Sequence, residues 1–121
     1  MLDHIGIDVQ NYDKSTTFYK AALAPLGYAL IMEVHGWAAF GAGGRPDFWI
    51  QQGMSTAPPI HLAFRSESRA AVRAFYESAL KVGGKDNGPP GIRAIYHPHY
   101  YGAFVIDPDG HNIEAVCHNS E

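Results

Sequence analysis

Cysteine is almost missing from this chain of 121 residues. Cys117 stands alone, so no internal disulfide can form, and a reducing cytoplasm is the expected location. Its setting, "IEAVCH", makes it a small buried hydrophobe. Long apolar runs are missing too. No stretch approaches the roughly 18 apolar residues of a membrane span. The N-terminus enters a strand-like stretch directly, without the basic start and apolar run of a secretory leader. No membrane partner is therefore expected. Positive charge is scarce: 9 Lys and Arg face 12 Asp and Glu, the formal net charge is −3, and the cations form no cluster. That argues against nucleic acid as a partner. "GAGGRP" is rich in glycine but lacks the Lys-Ser/Thr and the following helix of a phosphate loop. No Ser-His-Asp or Cys-His arrangement can be assembled.

What is present is enough apolar residue, 46% of the chain, for one core or for two small halves that share one. The chain also repeats itself. Slid along itself by the distance from His4 to His61, it places "FYKAAL" on "FYESAL" and Gly27 on Gly84. Ile5 falls on Leu62 and Ile7 on Phe64. Each half opens with a strand of period two, "HIGIDV" or "HLAFRS". A helix follows, marked by Phe18, Ala22 and Leu26 in the first half. In the second half the stripe is Val72, Phe75, Tyr76, Ala79 and Leu80. Asp13 and either Ser66 or Ser68 suit the N-caps, and Gly27 and Gly83-Gly84 the stops. Three strand-like runs come next: "YALIMEV", "WAAFGA" and "DFWIQQ", then "IRAIYH", "YGAFVID" and "NIEAVCH". "DPDG" supplies a hairpin turn, and "GGKDNGPPG" reads as a loop. The expected fold is α+β. Two tandem β-α-β-β-β modules, residues 1–52 and 60–118 with a linker at 53–59, form a curved mixed sheet around a concave cavity, helices outside.

Strand parity selects the residues on the inner face. His4 shares a face with Gly6 and Asp8, and His61 with Ala63, while the apolar set turns to the helix. Glu114 lies opposite the small apolar set Ile113, Ala115 and Cys117. With one residue of hairpin slack, Trp49 takes in the first half the place of Glu114 in the second. Two imidazoles and a carboxylate are a ligand set for Fe, Mn, Zn, Co or Ni. A buried carboxylate also needs a partner. His4, His61 and Glu114 are thus candidate ligands of a divalent metal ion whose identity stays open, and Glu114 is a candidate proton acceptor. The alternative is structural: His4 and Glu114 hydrogen-bonded to each other. In "YHPHYYGAF", His97, His99, Tyr96, Tyr100 and Tyr101 are candidates for the cavity rim or for an interface. Arg93 is a candidate for a substrate carboxylate or phosphate. His35, His111 and His118, near turns or the chain end, are expected in solvent.

"LDHIGIDV", "FYKAAL", "PLGY", "HLAF", "GAFVIDPDGHNIEAV" and the duplication together resemble the vicinal oxygen chelate superfamily of glyoxalases, bleomycin resistance proteins and extradiol dioxygenases. The likeness is strongest to its small bacterial, glyoxalase-related members. It implies metal ligands from the first and last strand of each module, which fall on His4, His61 and Glu114, with the fourth at Trp49. Tryptophan cannot ligate, because its indole N–H only donates. Gln51, two residues on, shares that face and offers a carbonyl. This departs from the glyoxalase I pattern and is more like the extradiol branch. The resemblance implies a metal-dependent lyase, isomerase or dioxygenase, related to lactoylglutathione lyase, acting on a small oxygen-chelating substrate. Trp49, Gln51, Arg93 and Tyr101 are the expected substrate contacts. Two chains close such a cavity more completely than two halves, so a homodimer is expected, with "WAAFGA" and "HYYGAF" supplying apolar contact. The alternative within the family is a metal-free protein of bleomycin resistance type that holds an aromatic or cationic compound between Trp37, Trp49 and the tyrosines.

Overall fold

Residues 1–121 are described by a computed structural model. The period-two run after His4 forms β1 (Ile5–Val9), with Ile7 and Val9 buried and Gly6 turned out. Helix α1 (Tyr12–Leu23) begins at Asn11, whose side chain accepts from the Lys14 N–H at 3.1 Å. Asp13, read as the cap, lies inside the first turn, where its charge suits the positive end of the helix. A single 3₁₀ turn (Ala24–Leu26) ends at Gly27, whose φ of 85° only glycine adopts freely. Leu26 therefore lies beyond α1. Strands β2 (Ala29–Val34), β3 (Trp37–Ala42) and β4 (Arg45–Gln52) complete the first module.

The second module holds β5 (His61–Arg65), α2 (Arg69–Lys81), β6 (Lys85–Ile92), β7 (Tyr101–Ile106) and β8 (Asn112–Cys117). Ser68 caps α2, accepting from the Ala71 N–H at 3.1 Å, while Ser66 donates its hydroxyl to the Ser68 carbonyl. One strand lies where the sequence pattern predicts a loop. "KDNGPPGI" is β6, and the segment from Arg93 leaves the sheet. The prolines mislead because they have no N–H to donate. β6 is an edge strand with register shifts at Asp86–Gly88 and Gly88–Gly91, where that loss is tolerated.

Both sheets have the same topology, β1-β4-β3-β2 and β5-β8-β7-β6, with the first pair parallel and the rest antiparallel. Within one chain no strand of one sheet pairs with the other, so there are two four-stranded sheets rather than one continuous one. Helix α1 lies against α2, and Phe18 reaches Gly84. A single core runs through both modules. Phe64 of β5 meets Phe48 of β4 and Tyr28 edge-on, each at 5.5 Å between ring centroids. Full burial of a phenylalanine contributes about 1.5–3 kcal/mol.

The "DPDG" turn fastens the modules together. Asp107 accepts from the Tyr19 hydroxyl of α1, the His111 N–H at 2.8 Å and the Asp109 N–H at 2.9 Å. Asp109 accepts from the Gln10 N–H at 3.0 Å and from the hydroxyls of Ser15 and Ser55. His111, expected in solvent, is buried. The hairpin folds onto the entry to β5, and the His111 Nδ1 accepts from the Ile60 N–H at 3.0 Å. Cys117 is free and buried, as its apolar run indicates.

Candidate functional site

Register places the candidate residues. On the inner face β1 pairs Gly6 with Trp49, and β5 pairs Ala63 with Glu114. Gly6 and Ala63 are repeat equivalents, so Trp49 is the structural counterpart of Glu114. In each module the histidine two residues before that pair leans on the residue across from it. His61 meets a carboxylate, and His4 meets an indole.

In module two the His61 Nε2 lies 2.8 Å from the Glu114 Oε1. Glu114 is buried, its side chain 1% exposed, whereas the His61 ring is half exposed at 52%. The other oxygen, Oε2, accepts from the Tyr100 hydroxyl. Burial, the hydrogen bond to Glu114 and the charge of Glu114 push the Tyr100 phenol up from its ordinary range, so it stays a donor. Burial of Glu114 is thus matched by two protein partners.

In module one the His4 ring stacks on Trp49 at 4.3 Å and 10°, with its Nδ1 2.6 Å from Asp3. Trp37 meets Trp49 edge-on at 5.1 Å. A cavity of about 180 Å³ opens beside them, lined by Gly6, Asp8, Trp37, Trp49, Ile50 and Gln51. The Trp49 indole N–H is buried without a partner.

Within one chain no three His, Cys, Asp or Glu side chains gather around a common point, so His4 does not join His61 and Glu114 there. Gln51 lies on the Trp49 face, across from Asp8 and Trp37. Arg93 donates to the Pro89 carbonyl at 2.6 Å and lies 5.3 Å over Phe104, the residue opposite Glu114 on β7. Tyr101 sits beneath Arg69 and Arg73 of α2, away from Glu114. Its neighbour Tyr100 is the one that reaches the carboxylate. The His97 Nε2 lies 2.8 Å from the His118 Nδ1, and the His97 Nδ1 accepts from the His99 N–H at 3.1 Å. The side-chain partner of His97 is therefore His118, and His99 meets His97 only through its backbone N–H. Sequence reading named Tyr100 only as one of a cluster. The signal for it is length: module one joins β2 to β3 with His35-Gly36, while module two uses residues 93–100.

The sequence model of the Glyoxalase/Bleomycin resistance protein/Dioxygenase superfamily matches residues 1–115. The chain is similar to the crystal structure of a glyoxalase/bleomycin resistance protein from Albidiferax ferrireducens T118, at 24% identity and a TM-score of 0.80, covering 96% of this chain and 97% of that one. It is also similar to the fosfomycin resistance protein FosX from Mesorhizobium loti, at 20% identity, a TM-score of 0.73 and coverage of 98% and 92%. A glyoxalase/bleomycin resistance protein/dioxygenase family enzyme from Burkholderia phytofirmans PsJN aligns at 14% identity with a TM-score of 0.75, covering 98% of both chains. No curated protein matches the sequence. At these identities the likeness shows the fold.

Proposed function

The chain belongs to the glyoxalase/bleomycin resistance protein/dioxygenase superfamily, and from that premise we propose that it is a divalent-metal-dependent, glyoxalase-like enzyme acting on a small oxygen-chelating substrate in a site shared by two copies. The observation that carries this reading is the His61–Glu114 pair. An imidazole nitrogen and a carboxylate oxygen 2.8 Å apart on adjacent strands suit two donors of one ion. The third donor is His4, which the repeat puts at the equivalent position of the other module. β1 and β5 both lie at the ends of their sheets. The outer edge of β1 is bonded only at Asp8, by Thr56 of the linker. Pairing these edges between two copies would cover them and set module one of one chain beside module two of the other.

His61, Glu114 and the second copy's His4 would hold the ion, and the ion would supply Lewis-acid polarisation of substrate oxygens. Glu114, the proposed proton acceptor, would take a proton only by giving up its partner at Oε1 or Oε2. Trp49, braced by His4, offers a flat wall to the substrate. One carboxylate against a dication leaves net positive charge, which suits an anionic substrate. No helix is long and apolar enough to cross a membrane. The lone free thiol fits the cytoplasm, the proposed location.

Metal analysis of untagged protein, followed by titration with Zn, Ni, Fe, Mn and Co salts, tests the reading. We expect one ion per His61–Glu114 pair and its loss in His61→Ala. Absence of any bound metal, with no uptake on titration, overturns it. The second reading, a metal-free binder of an aromatic or cationic compound, is favoured by one observation: both oxygens of Glu114 already have protein partners. It predicts ligand-dependent quenching of tryptophan fluorescence that persists in chelator.

A further inference from the structure

Module two departs from its own repeat at one turn, and that turn ends on the candidate site. Residues 93–100 replace the His35-Gly36 link of module one and fold back on themselves. The Arg93 N–H donates to the Tyr100 carbonyl at 2.7 Å, the Tyr96 N–H to the Arg93 carbonyl at 3.0 Å, and the Tyr100 N–H to the His97 carbonyl at 3.2 Å. The Tyr100 ring is then boxed by Tyr96 at 4.8 Å, His97 at 5.5 Å and His118 at 5.3 Å. His97 and His118 are themselves bonded, which ties the turn to the end of β8. Across the box, Gly102 makes room. A Cβ there would lie 3.2 Å from both the Glu114 Oε2 and the Tyr100 ring. A tyrosine held this way has little rotamer freedom left to lose, and its hydroxyl is aimed at one carboxylate oxygen.

Resting on the metal reading above, we propose that Tyr100 is a positioning residue that confines Glu114 to one coordinating oxygen, Oε1, and so keeps an adjacent coordination position for the substrate. A carboxylate can bind an ion through one oxygen or through both. The phenol donates a charge-assisted hydrogen bond to Oε2, the oxygen away from His61. An ion at Oε1 then meets one oxygen of Glu114, and two neighbouring positions stay open for a substrate with vicinal oxygens. Remove the hydroxyl and Oε2 is free to swing onto the ion, where it takes one of those positions. Partners of metal ligands commonly change affinity or activity about 10–100-fold when mutated. Here the sign is specific: metal binding holds or tightens while chelation by the substrate weakens.

The test uses Tyr100→Phe, which keeps the ring in its box. Full-length wild type and variant are titrated with Co(II), the visible absorption of the bound ion is recorded, and oxalate is then added as the vicinal-oxygen probe. Expected for the variant are cobalt affinity equal to or above wild type, an altered absorption band, and oxalate binding weaker by about tenfold or more. Unchanged absorption and oxalate binding overturn the proposal. So does a parallel loss of cobalt and oxalate with the circular dichroism intact, since Tyr100 would then only support the metal. Wild type that takes up no cobalt overturns the metal reading itself before the variant is compared, and the proposal with it. His118→Ala, which loosens the box and leaves the hydroxyl, is expected to shift oxalate binding in the same direction by less; full wild-type behaviour there together with a wild-type Tyr100→Phe closes the case against.

Discussion

Tyr19 carries its hydroxyl from the helix of one module to a carboxylate in the turn of the other. It is fully buried and donates to Asp107. Tyr19→Phe leaves Asp107 with two backbone N–H donors in place of three partners, and should cost about 1–3 kcal/mol in denaturant unfolding. Burial first, then the charge of Asp107, holds the phenol proton well above the ordinary tyrosine range. A group whose folded pKa is raised stabilises fully below its unfolded value, here about pH 10, and that stability fades as pH rises beyond it. Stability should therefore fall above about pH 10 in wild type and fall less steeply in Tyr19→Phe. Equal slopes would show that Tyr19 is not the group responsible. At the site, Trp49→Glu restores a carboxylate at the counterpart of Glu114. It should tighten metal binding by about tenfold, near 1.4 kcal/mol, and weaken an anionic ligand. Unchanged metal titration would place Trp49 outside the coordination sphere, with Gln51 the next residue to examine.

At the scale of elements, helix starts and edges separate what short-range pattern can and cannot specify. Ser66, Ser68 and Asp13 all suit an N-cap by type. The backbone decides which side chain meets a free N–H, and Ser68 is 3.1 Å from the Ala71 N–H. Ser68→Ala should cost about 0.5–2 kcal/mol, while Asp13→Ala, inside the first turn, should cost less. The β3–β4 hairpin carries a stronger constraint. A Cβ on Gly41 would lie 1.9 Å from the Arg45 carbonyl oxygen, a backbone atom that cannot step aside. Gly41→Ala should cost at least about 1–3 kcal/mol in thermal unfolding, and a change within error would mean that the hairpin opens freely. β6 shows the opposite situation. Its Pro-Pro pair survives because an edge strand uses one row of backbone groups, which a reading of the local sequence takes for a loop.

The whole molecule decides where the site is. Each chain holds a His61–Glu114 pair in one sheet and a His4–Trp49 pair in the other, and no strand pairing joins them. If two copies complete the site, His4→Ala and His61→Ala should each abolish high-affinity metal binding as homodimers. Mixed dimers of the two variants should regain about half the stoichiometry, since one of the two sites then carries both histidines. No recovery on mixing would place the site within one chain. Fastening between modules belongs to this scale as well. Asp109 receives a backbone N–H from Gln10 and hydroxyls from Ser15 and Ser55, all outside its own module. It contributes to how the modules sit, although it lies in a turn whose sequence says only that the chain reverses.

Residue type and spacing are enough to specify the duplication, the order of elements in the first module, the facing of His61 and Glu114, and the pairing of Trp49 with the place of Glu114. Those follow from periods of two and 3.6 and from one internal offset, all properties of residues close in sequence or related by repeat. Tertiary structure alone decided that Tyr100, not Tyr101, reaches Glu114, that His111 is buried under the turn, and that His97 is partnered by His118. It also left His4 apart from His61 within one chain. Each of these depends on how a loop folds back or how two modules pack, and residue type and spacing put no restriction on either.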